Sequence, residues 1–361
     1  MRVYIIGAGV IGHTHAEACR KLPEPVELRV ADINKAALKK FAERFPEAKP
    51  FSDAEAMLAA EAAREDDVVI AATPPAAHAA AAKLGFASGR HVLCEKPLAM
   101  NVSEAKEMVR AAEAAGRWLG CCSVRFKGMR HMETVKRVIA SGALGDVYHV
   151  TFVNKWERSR AGIEYQPESR WFLDSAKSGG GVLMDWGPYD FATLDDMLRP
   201  ERVEVNAAWT AKPVTAADPQ DTPFDVETHV GAVMTFYRET KPVHVHYERA
   251  TCAHGEGYVR AEIEGTKGSV SWTPFDSRQP VFRRYDEDGK LVVEELDTGP
   301  KSEFTIMDNP MLHFYNKIHG ITAEANINEK ALKLFEVIRA LYDAEKTCEK
   351  QTITFAEGAV R

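Results

Sequence analysis

The sequence predicts an α/β protein in two parts: an N-terminal doubly wound domain on a parallel sheet, then a C-terminal α+β domain with an open, mostly antiparallel sheet. Three observations predict it. Over residues 1–122, short apolar runs alternate with Ala-rich stretches of helical period, as in repeated βαβ units. Beyond residue 122 the hydrophobic period becomes two and hairpin punctuation appears. The 361-residue length, at ~150 residues per domain, gives two domains or three. The expected boundaries are 1–122 and 123–361, with the last helix free to pack back on the first domain.

In the first domain, strands are predicted at Val3–Ile6, Val26–Ala31, Val68–Ala71, His91–Cys94 and Trp118–Cys122. Helices are predicted between them at Val10–Lys21, Lys35–Phe45, Asp53–Glu61, Ala76–Ala87 and Ser103–Ala115. Ser52 and Glu55 have capping-box spacing, and Gly116 marks a helix end. In the second domain a helix at Met129–Ser141 precedes period-two segments at Val147–Lys155, Val203–Thr210, Glu227–Tyr237, Val243–Thr251, Tyr258–Glu264 and Ser269–Trp272. Gly265–Gly268 and Asp286–Gly289 read as hairpin turns, and Asn328–Lys346 as a closing amphipathic helix.

Charge excludes several functions. Lys and Arg number 46 against 53 Asp and Glu, a net −7 without a basic block, so the chain lacks the footprint of a nucleic-acid or anionic-membrane binder. The longest apolar stretch, Val68–Ala82, is interrupted by Pro74, Pro75 and His78, so no membrane helix is expected. No leader-like segment precedes Val3, and the six cysteines are scattered without CxxC spacing, which reads as a reduced, cytoplasmic chain. Adjacent Cys121 and Cys122 read as buried inert thiols.

The strongest chemical signal is Gly7-Ala8-Gly9-Val10-Ile11-Gly12. It follows an apolar strand, opens a helix and starts a βαβ unit, and Asp32-Ile33 follows about 20 residues on, at the end of the second strand. That is the context of a Rossmann dinucleotide-binding fingerprint: Gly7 for the tight turn, Gly9 for approach of the pyrophosphate, Gly12 for helix-on-strand packing. Asp32 would accept hydrogen bonds from ribose hydroxyls and repel a 2′-phosphate, so NAD is expected, with NADP not excluded. Thr73-Pro74-Pro75-Ala76-Ala77-His78 and Cys94-Glu95-Lys96-Pro97 both follow strands, where open α/β sheets place ligands. Taken alone, Glu95-Lys96 also reads as a solvated ion pair at a strand end.

Together with Arg125-Phe126, Gly179-Gly180-Gly181-Val182-Leu183-Met184-Asp185-Trp186-Gly187, Ile263–Gly268 and the final helix with Glu336-Val337-Ile338 and Tyr342, these motifs resemble the Gfo/Idh/MocA family of glucose–fructose oxidoreductase and inositol dehydrogenase. The resemblance covers essentially the whole chain. It implies hydride transfer between NAD(P) and a sugar, polyol or related cyclic alcohol, and assembly as a homodimer or homotetramer through the open sheet. It implies cofactor contacts from Gly7, Gly9, Val10, Ile11, Gly12, Asp32, Ile33, Thr73, Pro74, Pro75, His78, Glu95, Lys96 and Arg125, and catalytic roles for Lys96, Asp185 and Tyr189. Tyr189 stands where many members carry His. A phenol of pKa ~10 needs a nearby cation to act as a base, a part Lys96 could play.

Asn154, Trp156 and Arg158 alternate on one predicted strand face, and Arg170-Trp171 precedes the glycine run; these are substrate candidates or packing residues. His13, His15, His229, His244, His246 and His254 lack recognisable third- and fourth-ligand spacing and read as ordinary polar-face histidines, so no metal is expected. Trp209–Asp225, with Pro213, Pro219 and Pro223, reads as a loop. The rival functions are a non-catalytic dinucleotide- and sugar-binding regulator and an NAD-recycling glycoside hydrolase.

Overall fold

The computed structural model describes residues 1–157, 167–216, 218–238, 240–321 and 325–355. The chain divides into two compact units. One is Met1–Arg125 with Phe304–Phe335; the other is Phe126–Glu303 with the chain from Glu336 onward.

The first unit alternates β1 (Arg2–Ile6), α1 (Val10–Cys19), β2 (Glu27–Ala31), α2 (Lys35–Arg44), β3 (Lys49–Phe51), α3 (Ala54–Ala59), β4 (Val68–Ala71), α4 (His78–Ala87), β5 (His91–Cys94), α5 (Val102–Ala114) and β6 (Leu119–Cys121). These strands pair in parallel in the order β6-β5-β4-β1-β2-β3, the doubly wound order whose switch point lies between β1 and β4. Val3, Ile5, Val30, Val68, Ile70 and Leu93 are all buried, as strands covered on both faces require. The cap of α3 differs from the capping-box expectation. Asp53, not Ser52, accepts the Ala56 N–H at 2.7 Å, since the helix begins one residue later than that reading implies.

In the second unit come α6 (Arg130–Ala140), β7 (Val147–Glu157), α7 (Ser175–Ser178), α8 (Val182–Leu198), β8 (Arg202–Ala211), β9 (His229–Arg238), β10 (Lys241–Ala253), β11 (Tyr258–Gly265), β12 (Gly268–Trp272), β13 (Val281–Glu287) and β14 (Lys290–Leu296). The chain then returns to the first unit with α9 (Asn309–Ile318) and β15 (Asn326–Ile327), before α10 (Asn328–Thr347) and β16 (Gln351–Thr354). Among the described residues the second sheet has nine strands, ordered β14-β13-β12-β11-β7-β10-β9-β8-β16. Only β7 and β10 run parallel; every other neighbouring pair is antiparallel. Helix α8 lies against β9 and β10, and α6 against β12 and β13. Trp209, Val233, His244 and His246 are exposed on these strands, with Val233 registered beside His246 and Trp209 beside Gly231. Trp209 and Thr210 thus belong to β8, and the expected loop starts only after Ala211.

The expected second domain, 123–361, includes Phe304–Phe335, a segment that clusters instead with the first unit. The cause is packing: Phe314 presses on Gly120, where an added Cβ would lie 2.6 Å from the ring, and Met311, Phe314 and Tyr315 join the first unit's core. Asn326 pairs with Cys121, so β15 extends the sheet beyond β6.

At the start of β1 sits a buried charge cluster. Arg2 bonds Asp67 at 3.0 Å through Nε and Glu61 at 2.7 Å, Arg29 reaches Glu61 at 2.9 Å, and Arg90 lies 4.3 Å over the Tyr4 ring. Hydrogen bonding from Arg29, against the opposing effect of burial, holds the Glu61 carboxyl down at about 2. A carboxyl depressed by folding stabilises above its unfolded pKa and loses that contribution as pH falls through the folded value. Glu61→Gln is therefore expected to cost of order 1–3 kcal/mol at pH 7. In urea melts at a series of pH values, that deficit should shrink below pH ~4.5 and vanish near pH ~2.

Candidate functional site

In the first unit the sequence-predicted residues gather at the carboxyl ends of β1, β2, β4 and β5. Gly7 has φ 111°, and a Cβ there would sit 2.4 Å from the Ala72 carbonyl oxygen. A Cβ on Gly12 would sit 2.1 Å from the Gly7 carbonyl oxygen, so α1 meets the turn in near contact. A Cβ on Gly9 would meet nothing within 4 Å. Gly9 is the N-cap of α1, and among the described residues no side chain caps that end, so the first N–H groups of the helix have no side-chain acceptor there. Asp32 accepts the Ala8 N–H at 2.8 Å and the Asn34 N–H at 2.7 Å, which ties the end of β2 to the fingerprint turn. Val10 and Ile33 are 75% and 92% exposed, apolar surface beside that turn; Ile11 is half-buried. Thr73 Oγ1 is buried and has no hydrogen-bond partner among the described residues. Unclaimed helix N–H groups, a buried hydroxyl without a partner and exposed apolar side chains fit a dinucleotide.

His78, Glu95 and Arg125 are buried and engaged with protein groups. The His78 ring nitrogens lie 2.8 Å from the Thr73 and Pro97 carbonyl oxygens, joining the two loops, and burial pushes its pKa down. Pro74 is exposed, Pro75 is buried, and the Lys96–Pro97 peptide is cis. Glu95 faces His15 at 2.9 Å and Arg125 at 2.8 Å. Burial opposes its charge, but Arg125 and His15 hold it well below the usual carboxylate range. Lys96, half-buried, follows directly.

In the second unit, α8 carries Asp185, Trp186 and Tyr189. Its N-terminus is held by a carboxylate from the segment before β9: Glu227 accepts the Gly181 N–H at 2.8 Å and the Leu183 N–H at 3.0 Å. The Tyr342 hydroxyl donates to the same Glu227 at 2.7 Å. A Cβ on Gly181 would lie 1.8 Å from the Glu227 carbonyl oxygen, which accounts for that glycine. Further along α8, Asp190 accepts from Tyr247 at 2.8 Å and from Arg249 Nε at 2.9 Å, and burial pushes Asp190 up against the pull of Arg249. Arg249 also lies 4.9 Å from the Trp186 ring centroid. Tyr189 is buried, edge-on to Phe126 at 5.1 Å and Trp186 at 5.7 Å. Phe275 completes the aromatic group 4.1 Å from Phe126, with φ 65°, a conformation a bulky side chain adopts only where its surroundings enforce it.

The substrate candidates are placed variously. Asn154 is buried and bonds the Trp156 indole N–H, and Trp156 is 51% exposed. Arg170 pairs with Asp221, and Trp171 stacks on Phe172; Arg158 lies outside the described residues. His229 bonds Glu248 at 2.8 Å and meets Trp209. His15 is fully buried, a correction to its polar-face reading: it lies on the inner side of α1, toward Glu95. Cys121 and Cys122 are buried, and burial pushes both thiols up. Sequence reasoning missed Glu227 and Asp190–Arg249; an Asp inside the apolar run of α8 was the available signal.

This arrangement defines a dinucleotide-binding oxidoreductase fold. The Rossmann family model "Oxidoreductase family, NAD-binding Rossmann fold" matches residues 1–122, and the "GFO/IDH/MocA C-terminal domain" matches residues 132–271. The chain belongs to the Gfo/Idh/MocA oxidoreductase family. It is 33% identical over 125 residues to 1,5-anhydro-D-fructose reductase of Ensifer adhaerens, a stretch that is 33% of this chain and only 34% of that relative. It is 26% identical over 329 residues to levoglucosan dehydrogenase of Pseudarthrobacter phenanthrenivorans, covering 83% of this chain and 80% of the relative. The solved structure of levoglucosan dehydrogenase with NADH and levoglucosan superposes with TM-score 0.76 at 20% identity, over 98% of this chain and 99% of that one. Among the described residues no helix is long and apolar enough to cross a membrane.

The fingerprint geometry separates two alanine substitutions. Gly12→Ala should lower stability by about 1–3 kcal/mol through overpacking, while Gly9→Ala should melt like the parent. Thermal denaturation without added nucleotide distinguishes them.

Proposed function

We propose that the protein is an NAD-dependent oxidoreductase acting between the hydroxyl and carbonyl states of a sugar, polyol or related cyclic alcohol. The observation that carries it is the uncapped N-terminus of α1 at Gly9, with Asp32 tied to the same turn. The activities for which these relatives are named, on anhydrosugars, support the substrate class. A bound nicotinamide supplies the hydride chemistry. The protein's own part is to hold the pyrophosphate on the α1 N–H groups, to accept the adenosine ribose hydroxyls at Asp32 and to repel a 2′-phosphate there. Val10, Ile11, Ile33, Thr73 and Pro74 complete that contact surface. Lys96 hydrogen-bonds the reacting oxygen, and Tyr189, aided by Asp185, exchanges its proton. The exposed positions Trp209, Val233, His244 and His246 support assembly of copies through the second unit's sheet.

NADH at about a hundredfold excess over its Kd should raise the melting temperature by ~5 °C, and NADPH by less. If neither nucleotide raises it, the reading fails. With a panel of sugars and inositols followed by NADH absorbance, Lys96→Met should lower kcat by about 10²–10⁴-fold and Tyr189→Phe by at least ~10²-fold, both retaining NADH binding. Asp32→Ser should weaken NADH by about 10–100-fold and narrow the gap to NADPH.

A further inference from the structure

We propose that His15 is a positioning residue for Lys96, acting through Glu95. His15 is fully buried on α1, three positions beyond Gly12, and its Nε2 lies 2.9 Å from Glu95 Oε1. Arg125 Nη2 reaches that same oxygen at 2.8 Å. The other carboxylate oxygen, Oε2, accepts the backbone N–H of Lys96 at 3.0 Å. One carboxylate is therefore held on one side by two donors and grips the Lys96 backbone with the other. His15 Nδ1 is buried with no hydrogen-bond partner among the described residues, which assigns the ring proton to Nε2 and makes His15 a donor to Glu95.

The two donors have different work. Arg125 supplies the charge that lets Glu95 be buried as an anion. His15 supplies direction: a rigid ring on a packed helix fixes the rotation of the carboxylate plane, and with it the position of Oε2 under the Lys96 amide. Without that bond Glu95 keeps its counter-ion but can turn, and the backbone carrying Lys96 loses its anchor. A displacement of about 1 Å at a reacting group costs on the order of 10²-fold in rate.

His15, Glu95 and Cys122 also bring ligand-type atoms within 4.8 Å of one another. A metal ion does not suit this group. Glu95 Oε1 is already shared by His15 and the Arg125 cation, and burial holds the Cys122 thiol well above its ordinary pKa, where it is a poor ligand.

The role rests on the reading that Lys96 handles the reacting oxygen, and the experiment separates the two. Amide hydrogen exchange at Lys96 requires no substrate: His15→Ala should speed it at least tenfold. With the alcohol selected by the substrate panel, His15→Ala should lower kcat by about 10–100-fold and leave the Kd for NADH within about threefold. His15→Gln, whose amide N–H can stand in for Nε2–H, should recover most of that loss. Glu95→Gln alone should lower kcat and speed Lys96 amide exchange comparably, and it serves if His15→Ala does not fold; where both fold, combining them should cost little more, since both act through one contact. Unchanged Lys96 exchange and kcat in His15→Ala, or equal loss in the Ala and Gln variants, overturns the positioning role. Full turnover in Lys96→Met overturns both that role and the reading beneath it.

Discussion

The near contact between α1 and the turn before it governs the first unit. Gly12 lies so close to the Gly7 carbonyl that any side chain there would overlap it, and this closeness aims the α1 N-terminus along the end of β1. Because Gly9 offers no side chain as a cap, the helix end remains a source of N–H donors and partial positive charge. Asp32 then joins the turn to β2 through the Ala8 N–H, so the α1 N-terminus and the Asp32 carboxylate are held by one backbone junction.

In both units, buried or half-buried carboxylates do the ordering. Glu95 joins α1, the end of β5 and Arg125; Glu227 caps α8 and takes the Tyr342 hydroxyl; Asp190 ties α8 to Tyr247 and Arg249 on β10. A buried carboxylate is costly unless several donors surround it, and that requirement makes each one a specific joint. The side chains proposed to carry the chemistry sit next to these joints: Lys96 follows Glu95, and Tyr189 precedes Asp190. The positive φ of Phe275 belongs to the same pattern, since the rings of Phe126 and Trp186 hold it in place.

Much of this was legible in the sequence because it is local. The glycine spacing, the period-two strands and the strand-end position of Lys96 all depend on neighbours within one element or one turn. The segment Phe304–Phe335 was not legible, because its place is decided by Phe314 filling the space that Gly120 leaves, a contact between distant parts of the chain. His15 was misread for the same reason. Nothing within α1 shows that its ring meets Glu95, eighty residues away in sequence. Cap placement at α3 shifted by one residue because Ser52 and Asp53 are both good caps, and the backbone chose between them.

The sequence by itself determined the two-part α/β plan, the fingerprint Gly7–Gly12 with Asp32, and the residues Lys96, Asp185 and Tyr189 as candidates for chemistry. Short-range periodicity and backbone sterics suffice for the plan and the fingerprint, while the three candidates for chemistry came from the family resemblance of their motifs. Only the tertiary structure decided what holds the candidates in place: the sharing of Glu95 between His15 and Arg125, the Glu227 cap on α8, and the Asp190–Arg249 pair. Each is an ionic or hydrogen-bonded contact between residues remote in the chain, formed only once folding has excluded water from around them.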